Sequence, residues 1–311
     1  MKKYCFGADI GGTTIKLGLF DADGIILDKW EIPTKTEEEG AAILPDIAAS
    51  IRKKTEEKGI DVQEIAGIGV DVPGPVSAEG IVPHTANLGW GYKEVSRELS
   101  ELTGLPCKAG NDANVAALGE MWLGGGKGHK NVLMMTLGTG VGGGIVVDGK
   151  ILTGAHGAGG EIGHMPVDDE LDECCGCGNK GCLEQFASAT GIARLGKEIL
   201  EKSSAPSSMR GKEMSAKTVF DAVKEGDALA VEVAERFGKY LGTAVASMTA
   251  VLDPEVIVIG GGVSKAGPVL LDYVRRHYRI HAFKSAKETP FVLAELGNDA
   301  GIYGCAKLML E

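Results

Sequence analysis

The sequence predicts an α/β protein of one large or two medium domains. A length of 311 residues sets that domain number. Short runs of Val and Ile alternate with longer stretches of helical spacing. One arrangement, a buried strand, a Gly/Thr loop and a second buried strand, occurs twice, at 9–28 and 135–150. A composition of 44% hydrophobic residues with 47 glycines supports a sizeable core and many tight turns.

The first strand is Tyr4–Ile10, followed by GGTT and a second strand, IKLGLF. Asp23-Gly24 is a hairpin turn before IILDKWEI. In Asp9-Ile-Gly-Gly-Thr-Thr-Ile-Lys16, Gly11 and Gly12 let backbone N–H groups approach an anion, and Thr13 adds a hydroxyl. Ordinary turn chemistry also accounts for this segment in isolation. Residues 37–58 form an amphipathic helix with Pro45 near its start, and 65–70 a buried strand running into the rigid turn DVPGPV. Asn87, in HTANLGW, is an amide able to face a sugar or simply a turn former. A helix at 94–102 and the short strand LPCKA lead to Asn111-Asp112, which opens the apolar helix ANVAALGEMW. Asp112 at that junction acts as a cap, or as a carboxylate kept charged by the helix dipole to take a proton from a hydroxyl.

The second loop, Leu137-Gly-Thr-Gly-Val-Gly-Gly-Gly144, lies between the strands 131–136 and IVVDG. Its likeness to the first favours phosphate binding for both, because one duplicated site explains two loops at once. Helices follow at 185–200, 215–224 and 227–252, with a polar loop at 202–213. The strand EVIVI then delivers Gly260-Gly261-Gly262 to a helix at 268–280, a corner compatible with a nucleotide or with a plain βα turn. The chain closes with the strand FVLAEL and a helix at 300–310.

Between Glu161 and Glu184 one His and four Cys fall within EIGHMPVDDELDECCGCGNKGCLE. His164 with Cys175, Cys177 and Cys182 is a donor set for structural Zn²⁺; Cys174 is an alternative first thiolate. Three thiolates and an imidazole leave no open metal position, so the metal organises the loop and holds Glu161, His164 and Glu184 for a polyhydroxylated ligand.

The net charge of −11, without a long basic run, disfavours nucleic-acid binding. No signal peptide or spanning segment is expected, and the clustered cysteines suit a reducing compartment, so the expectation is a soluble cytoplasmic protein with no membrane partner.

Taken together, DIGGTTIK, LGTGVGGG, GAGGEIGH, CGCGNKGC and VIGGGV resemble the ROK family of repressors, open reading frames and sugar kinases, over nearly the whole chain. WEIPT, TANLGW, NDANVAALGE and EQFASATGI are most similar to the family's bacterial ATP-dependent glucokinases. The resemblance implies the actin-like ATPase (ribonuclease H-like) fold, two α/β domains around a cleft. It implies a smaller domain at 1–110, a larger one at 111–299 with the zinc loop, and a last helix packing back on the first. It implies ATP-dependent phosphorylation of the glucose 6-hydroxyl, with Asp112 as base and Asn111, Glu161, His164, Glu184 and Asn87 on the other hydroxyls. Asp9 would sit near Mg²⁺ and the phosphates, with Gly11, Gly12, Thr13 and Lys16 in the first loop. Gly138, Thr139 and Gly140 match the second loop, and Gly261 and Gly262 the adenosine corner. Zinc would take His164, Cys175, Cys177 and Cys182, and the assembly would be a homodimer. Other family kinases, for fructose, mannose, N-acetylglucosamine or N-acetylmannosamine, share the pattern. A sugar-responsive repressor would need a DNA-binding module before the first strand, and an actin-like structural ATPase has no use for the zinc loop.

Overall fold

The computed structural model describes residues 2–85 and 87–310. In chain order the strands are β1 (Tyr4–Ile10), β2 (Thr14–Asp21), β3 (Ile26–Pro33), β4 (Ile65–Val72), β5 (Ile81–Val82), β6 (Lys93–Glu94), β7 (Cys107–Asn111), β8 (Val132–Leu137), β9 (Val141–Val147), β10 (Lys150–Ile151), β11 (Val256–Gly260) and β12 (Phe291–Leu293). The helices are α1 (Glu37–Gly40), α2 (Ile43–Glu57), α3 (Val95–Thr103), α4 (Asp112–Leu123), α5 (Glu184–Ala187), α6 (Ala189–Lys202), α7 (Ala216–Lys224), α8 (Ala228–Leu252), α9 (Pro268–His281) and α10 (Ala300–Met309).

The chain divides into two compact units, one of Met1–Lys130, Gly144–Gly160 and Glu295–Glu311, the other of Asn131–Gly143 and Glu161–Ala294. This departs from the expected break near residue 110, because α4 stays with the first unit. Gly304 is the reason: a Cβ there would stand 1.8 Å from the Val115 carbonyl oxygen, so α10 and α4 meet backbone to backbone.

In the first unit the sheet order is β3-β2-β1-β4-β7, antiparallel through β3, β2 and β1 and parallel through β1, β4 and β7. The central strands are buried along most of their length, whereas β3 alternates between half-buried and exposed positions, as suits an edge strand. Phe6, Leu17, Ile47, Ile51, Ile68 and Leu99 share one core with α2 and α3. Cys5 and Phe20 share a second with Ile302 and Ala306 of α10. There α10 lies directly on the strands: a Cβ at Gly69 would be 1.8 Å from the Cys305 carbonyl oxygen.

In the second unit β8 pairs in parallel with β11, and β11 with β12. Leu133, Met135, Ile257 and Ile259 are fully buried. The 25-residue α8 packs against α6, α7 and α9. Among the described residues no helix is long and apolar enough to cross a membrane.

Three elements differ from expectation. The helix placed at 37–58 begins at Ile43, because Glu38 and Glu39 take left-handed backbone angles and interrupt the earlier turn; Pro45 falls in the first turn, where its missing N–H costs nothing. The helix placed at 185–200 is broken at Ser188, whose extended backbone ends α5 and whose hydroxyl caps α6 by accepting from Gly191 N. The strand FVLAEL stops at Leu293, and the N–H groups of Glu295 and Leu296 find a side-chain acceptor instead.

Candidate active site

In the first unit three parallel strands end side by side. The register pairs Asp9 of β1 with Asp71 of β4, and Asp71 with Gly110 of β7. Strands lie about 4.8 Å apart, so the loops after β1, β4 and β7 open within roughly 10 Å. Ligands of parallel sheets bind beyond such carboxyl ends.

The loop after β1 carries Gly11, Gly12 and Thr13. Gly11 N bonds Thr14 O (3.1 Å), and Thr34 fastens the loop through its hydroxyl to Gly11 O (2.7 Å) and its N–H to Thr13 O (2.9 Å). Gly12 and Thr13 are exposed, and a Cβ on Gly12 would meet nothing within 4 Å. That leaves room for an anion against the backbone. Lys16 lies opposite Asp9 in the hairpin. Its Nζ donates to Asp9 Oδ2 (3.2 Å) and to the Asn298 carbonyl (3.0 Å), which fixes a cation beside the loop.

The α4 cap is Asn111, not Asp112. Asn111 Oδ1 accepts from Asn114 N (3.0 Å) and its Nδ2 donates to Gly74 O (3.0 Å). Asn111 therefore joins the turn after β4 to the start of α4, and keeps only its second N–H and a spare lone pair for a ligand. Asp112 is exposed in the first turn of α4, with Oδ1 accepting from Ala113 N (2.8 Å). Asn87 is exposed in the turn closed by the Thr85–Trp90 bridge.

Sequence reasoning missed two residues here. Asp71 is 1% exposed, and its Oδ1 has no hydrogen-bond partner among the described residues; Cys305 Sγ approaches its Oδ2 at 3.5 Å. Burial, then the charges of Asp9 and Asp112, push its carboxyl well above the usual range. An acid ending the buried run IAGIGV was the available signal. Asn114 is buried; it donates to Gly159 O (2.8 Å) and accepts from Ile145 N (3.4 Å), holding α4 to both segments.

In the second unit the loop Gly138–Gly140 is tied to α5 and α6. Ala189 N bonds Gly138 O (2.7 Å), and the Thr190 hydroxyl bonds Thr139 O (2.9 Å). Glu184 Oε2 accepts from Val141 N (2.9 Å) in space that a side chain on Gly140 would take: a Cβ there would be 2.2 Å from the same oxygen.

The metal donors assemble beside it. Ligand atoms of His164, Cys175, Cys177 and Cys182 all lie within 4.8 Å of one another. Cys175 Sγ is 3.7 Å from His164 Nδ1, and Cys177 Sγ is 3.6 Å from Cys182 Sγ. Tetrahedral zinc, with bonds near 2.3 Å to sulfur and 2.0 Å to nitrogen, sets such donors about 3.5–3.8 Å apart, so the set fits. Cys175 is in the cluster, whereas Cys174 is exposed and outside it. Burial pushes the Cys182 thiol up to about 12 and raises Cys175, while the Asn179 N–H lowers Cys177; a cation held here would deprotonate all three. His164 presents its other nitrogen, Nε2, to Glu161 Oε2 at 3.8 Å. Glu184 Oε1 lies 3.7 Å from Cys175 Sγ, so one carboxylate spans the metal cluster and the glycine loop.

Gly261 follows β11 with φ +82°, and a Cβ there would come within 2.5 Å of the Leu137 carbonyl oxygen, so the backbone passes close under the glycine loop. Gly262 has open space at its Cβ position and lines a cavity of about 320 Å³ with Val263, Ala189, Ser215 and Phe220. Lys265 and Ala266 complete the glycine side of this cavity, and Ala216, Lys217, Asp221 and Lys224 of α7 the other side, which had no signal in the sequence.

Glycine loops at strand ends, an apolar-sided cavity beside one of them and two carboxylates next to a zinc-compatible His/Cys cluster suit a protein that handles a phosphorylated small molecule and a polar one. The ROK family profile matches residues 5–311, and the chain belongs to the ROK family. Its fold is the actin-like ATPase fold of that family's sugar kinases. A glucokinase of Halalkalibacterium halodurans is 44% identical over 97% of this chain and 93% of its own. An N-acetylgalactosamine kinase of Shewanella sp. strain ANA-3 is 33% identical over 97% of this chain and 96% of its own. The crystal structure of a ROK family glucokinase from Streptomyces griseus in complex with glucose and AMPPNP is 32% identical, with a TM-score of 0.74, and covers 98% of both chains.

Proposed function

We propose that this chain is an ATP-dependent glucokinase that transfers the γ-phosphoryl group of ATP to the 6-hydroxyl of glucose. The observation that carries the reading is the row Asp9, Asp71, Gly110 at the strand ends, where Asp9, bonded to Lys16, and Asp112 both act on one buried acid. The glucokinase resemblance at 44% identity supports the substrate.

On this reading Asp112 takes the proton of the sugar 6-hydroxyl as that oxygen bonds to the γ-phosphorus. The bond to the β–γ bridging oxygen breaks, and ADP leaves with its electron pair. The transition state is loose, so alignment and charge neutralisation dominate, and a weak base suffices. Lys16 and the N–H groups of Gly12 and Thr13 would balance charge on the phosphates, and Thr139 and Gly140 would add backbone donors, since the Gly11 and Gly138 N–H groups are bonded within their own loops. Mg²⁺, carried in with ATP near Asp9, would neutralise the β- and γ-oxygens. The base and ribose would lie in the cavity of Gly262, Ala189, Ser215 and Phe220. Glu161, His164, Glu184, Asn111 and Asn87 would bind the remaining hydroxyls. Zinc on His164, Cys175, Cys177 and Cys182 would fix Glu161 and Glu184 without touching the sugar. A cytoplasmic homodimer completes the proposal.

Asp112→Asn tests the reading: turnover falls by about 10³-fold or more, while glucose affinity, followed by tryptophan fluorescence, changes little. Near-normal turnover would remove Asp112 as base. The 33% identity to an N-acetylgalactosamine kinase supports a second reading, an N-acetylhexosamine kinase. ADP release across a panel of hexoses and N-acetylhexosamines separates the two.

A further inference from the structure

Glu120 stands at the opposite end of α4 from Asp112, eight residues or about 12 Å along the helix. It is completely buried. Its carboxylate accepts from three backbone N–H groups: Gly125 (2.8 Å) and Glu295 (3.0 Å) on Oε2, and Leu296 (2.8 Å) on Oε1. The site is shaped around it, for a Cβ on Gly124 would stand 2.0 Å from Oε2. No chemistry described above uses this residue, although a buried carboxylate is expensive to keep unless it is fully hydrogen-bonded.

The two donors from 295–296 show where the hold leads. This segment leaves β12 as irregular backbone, and within two residues reaches Asn298, whose carbonyl accepts from Lys16 Nζ (3.0 Å). Lys16 in turn contacts Asp9 Oδ2 (3.2 Å). Next in sequence, Asp299 pairs with Lys29 of β3 (2.8 Å). One continuous path therefore runs from α4 through the Glu120 carboxylate, the 295–296 backbone and the Asn298 carbonyl to the lysine of the first loop. Every group on it belongs to the first unit.

We infer that Glu120 is a positioning residue for phosphoryl transfer, which locks the segment that steadies Lys16 to the helix that begins at Asp112. The inference rests on the roles proposed for Asp112 and Lys16. Helix and loop lysine then keep one relative placement, and in-line transfer is sensitive to displacements of about 1 Å. A carboxylate suits the task because three donors converge on it; the amide introduced by Glu120→Gln would turn an N–H toward a backbone N–H and lose at least one bond.

Two measurements test this. In the wild-type protein, hydrogen exchange should show the Glu295 and Leu296 amides protected like those of β4, although they lie outside any strand; exchange at open-loop rates would overturn the inference. Glu120→Gln should then deprotect 295–299, lower kcat about tenfold and raise KM for ATP several-fold, with glucose affinity within about twofold of wild type. Gly124→Ala, whose methyl displaces the carboxylate without removing it, should give the same pattern at smaller size, and it serves if the first variant does not fold. Deprotected amides with unchanged kcat and KM for ATP would reduce Glu120 to a stabilising staple. An error in the Asp112 role shows up separately, as an active Asp112→Asn variant.

Discussion

The two strand–loop–strand corners share a sequence phrase, yet the structure anchors them to different things. The first, Gly11–Thr13, is fastened by Thr34, just past the end of β3, and is flanked by a cation, Lys16 of β2, lodged between Asp9 and the Asn298 carbonyl. The second, Gly138–Gly140, is fastened by Glu184, Ala189 and Thr190, all in the stretch just after the last metal-ligand cysteine. Space differs too: at Gly12 a side chain would meet nothing, and at Gly140 it would strike the Glu184 carboxylate. Two loops of one local design thus acquire different tasks from their supports. On the proposed reading the first would handle charge, while the second would transmit the rigidity of a metal held by His164, Cys175, Cys177 and Cys182.

The sharpest way to break this comparison is to remove the cation. Lys16→Ala should cost about 10²–10³-fold in kcat/KM for ATP, the scale of losing one preorganised donor to a transferring group. A loss below tenfold would deny the first loop its charge-handling role.

Weakening the metal cluster should reach the second loop only. Cys177→Ser or prolonged chelation should lower glucose affinity about 10–100-fold, comparable to losing a supporting contact at a metal site. Zinc content measured alongside gives the control, since unchanged sugar affinity in a metal-free, folded protein would detach the cluster from the loop.

A matched pair of substitutions separates the loops by space alone. Gly140→Ala should destabilise by about 1–3 kcal/mol and raise KM for glucose, because Glu184 must leave the Val141 N–H. Gly12→Ala should leave the melting temperature unchanged and affect only KM for ATP. Equal shifts in melting temperature would contradict the contrast.

The smallest effect is expected at Asp168, in the metal loop, whose Oδ2 accepts from the Tyr240 hydroxyl of α8 (2.6 Å). Tyr240 also stacks on Phe186, with ring centroids 4.0 Å apart. The hydroxyl holds the Asp168 carboxyl below its usual range. A lowered folded-state value contributes stability above the unfolded pKa, about 3.9, and that stability disappears as pH falls through the folded value. Tyr240→Phe should therefore cost about 1 kcal/mol at pH 7, with the gap to wild type closing below about pH 4 in thermal melts. A gap that does not narrow at all as pH falls below about 4 would place the loss in packing rather than in this bond.

Local features of the fold were legible. β1, the hairpin into β3, the helices near 215–224 and 227–252 and the length of α8 follow from hydrophobic spacing and short-range preferences, which act within a few residues. Three of the four metal donors fall within eight residues of chain, and His164 lies eleven before the first of them, so their convergence needed only a tight turn. The left-handed Glu38 and Glu39 were not legible, because Glu favours a regular helix and only the following Gly40, also at positive φ, marks the break.

What only the tertiary structure decided are the partnerships across long stretches of chain. Glu120 meets Leu296 across 176 positions, and Cys305 meets Asp71 across 234. The same holds for the side of the Gly262 cavity made by Ser215 and Phe220. Sequence patterns report a residue's preference for helix, strand or turn, which its immediate neighbours set. Which backbone amides a buried carboxylate will find is fixed by how helices and sheets stack, and here that is what turns an unremarked glutamate into a support for the phosphate loop.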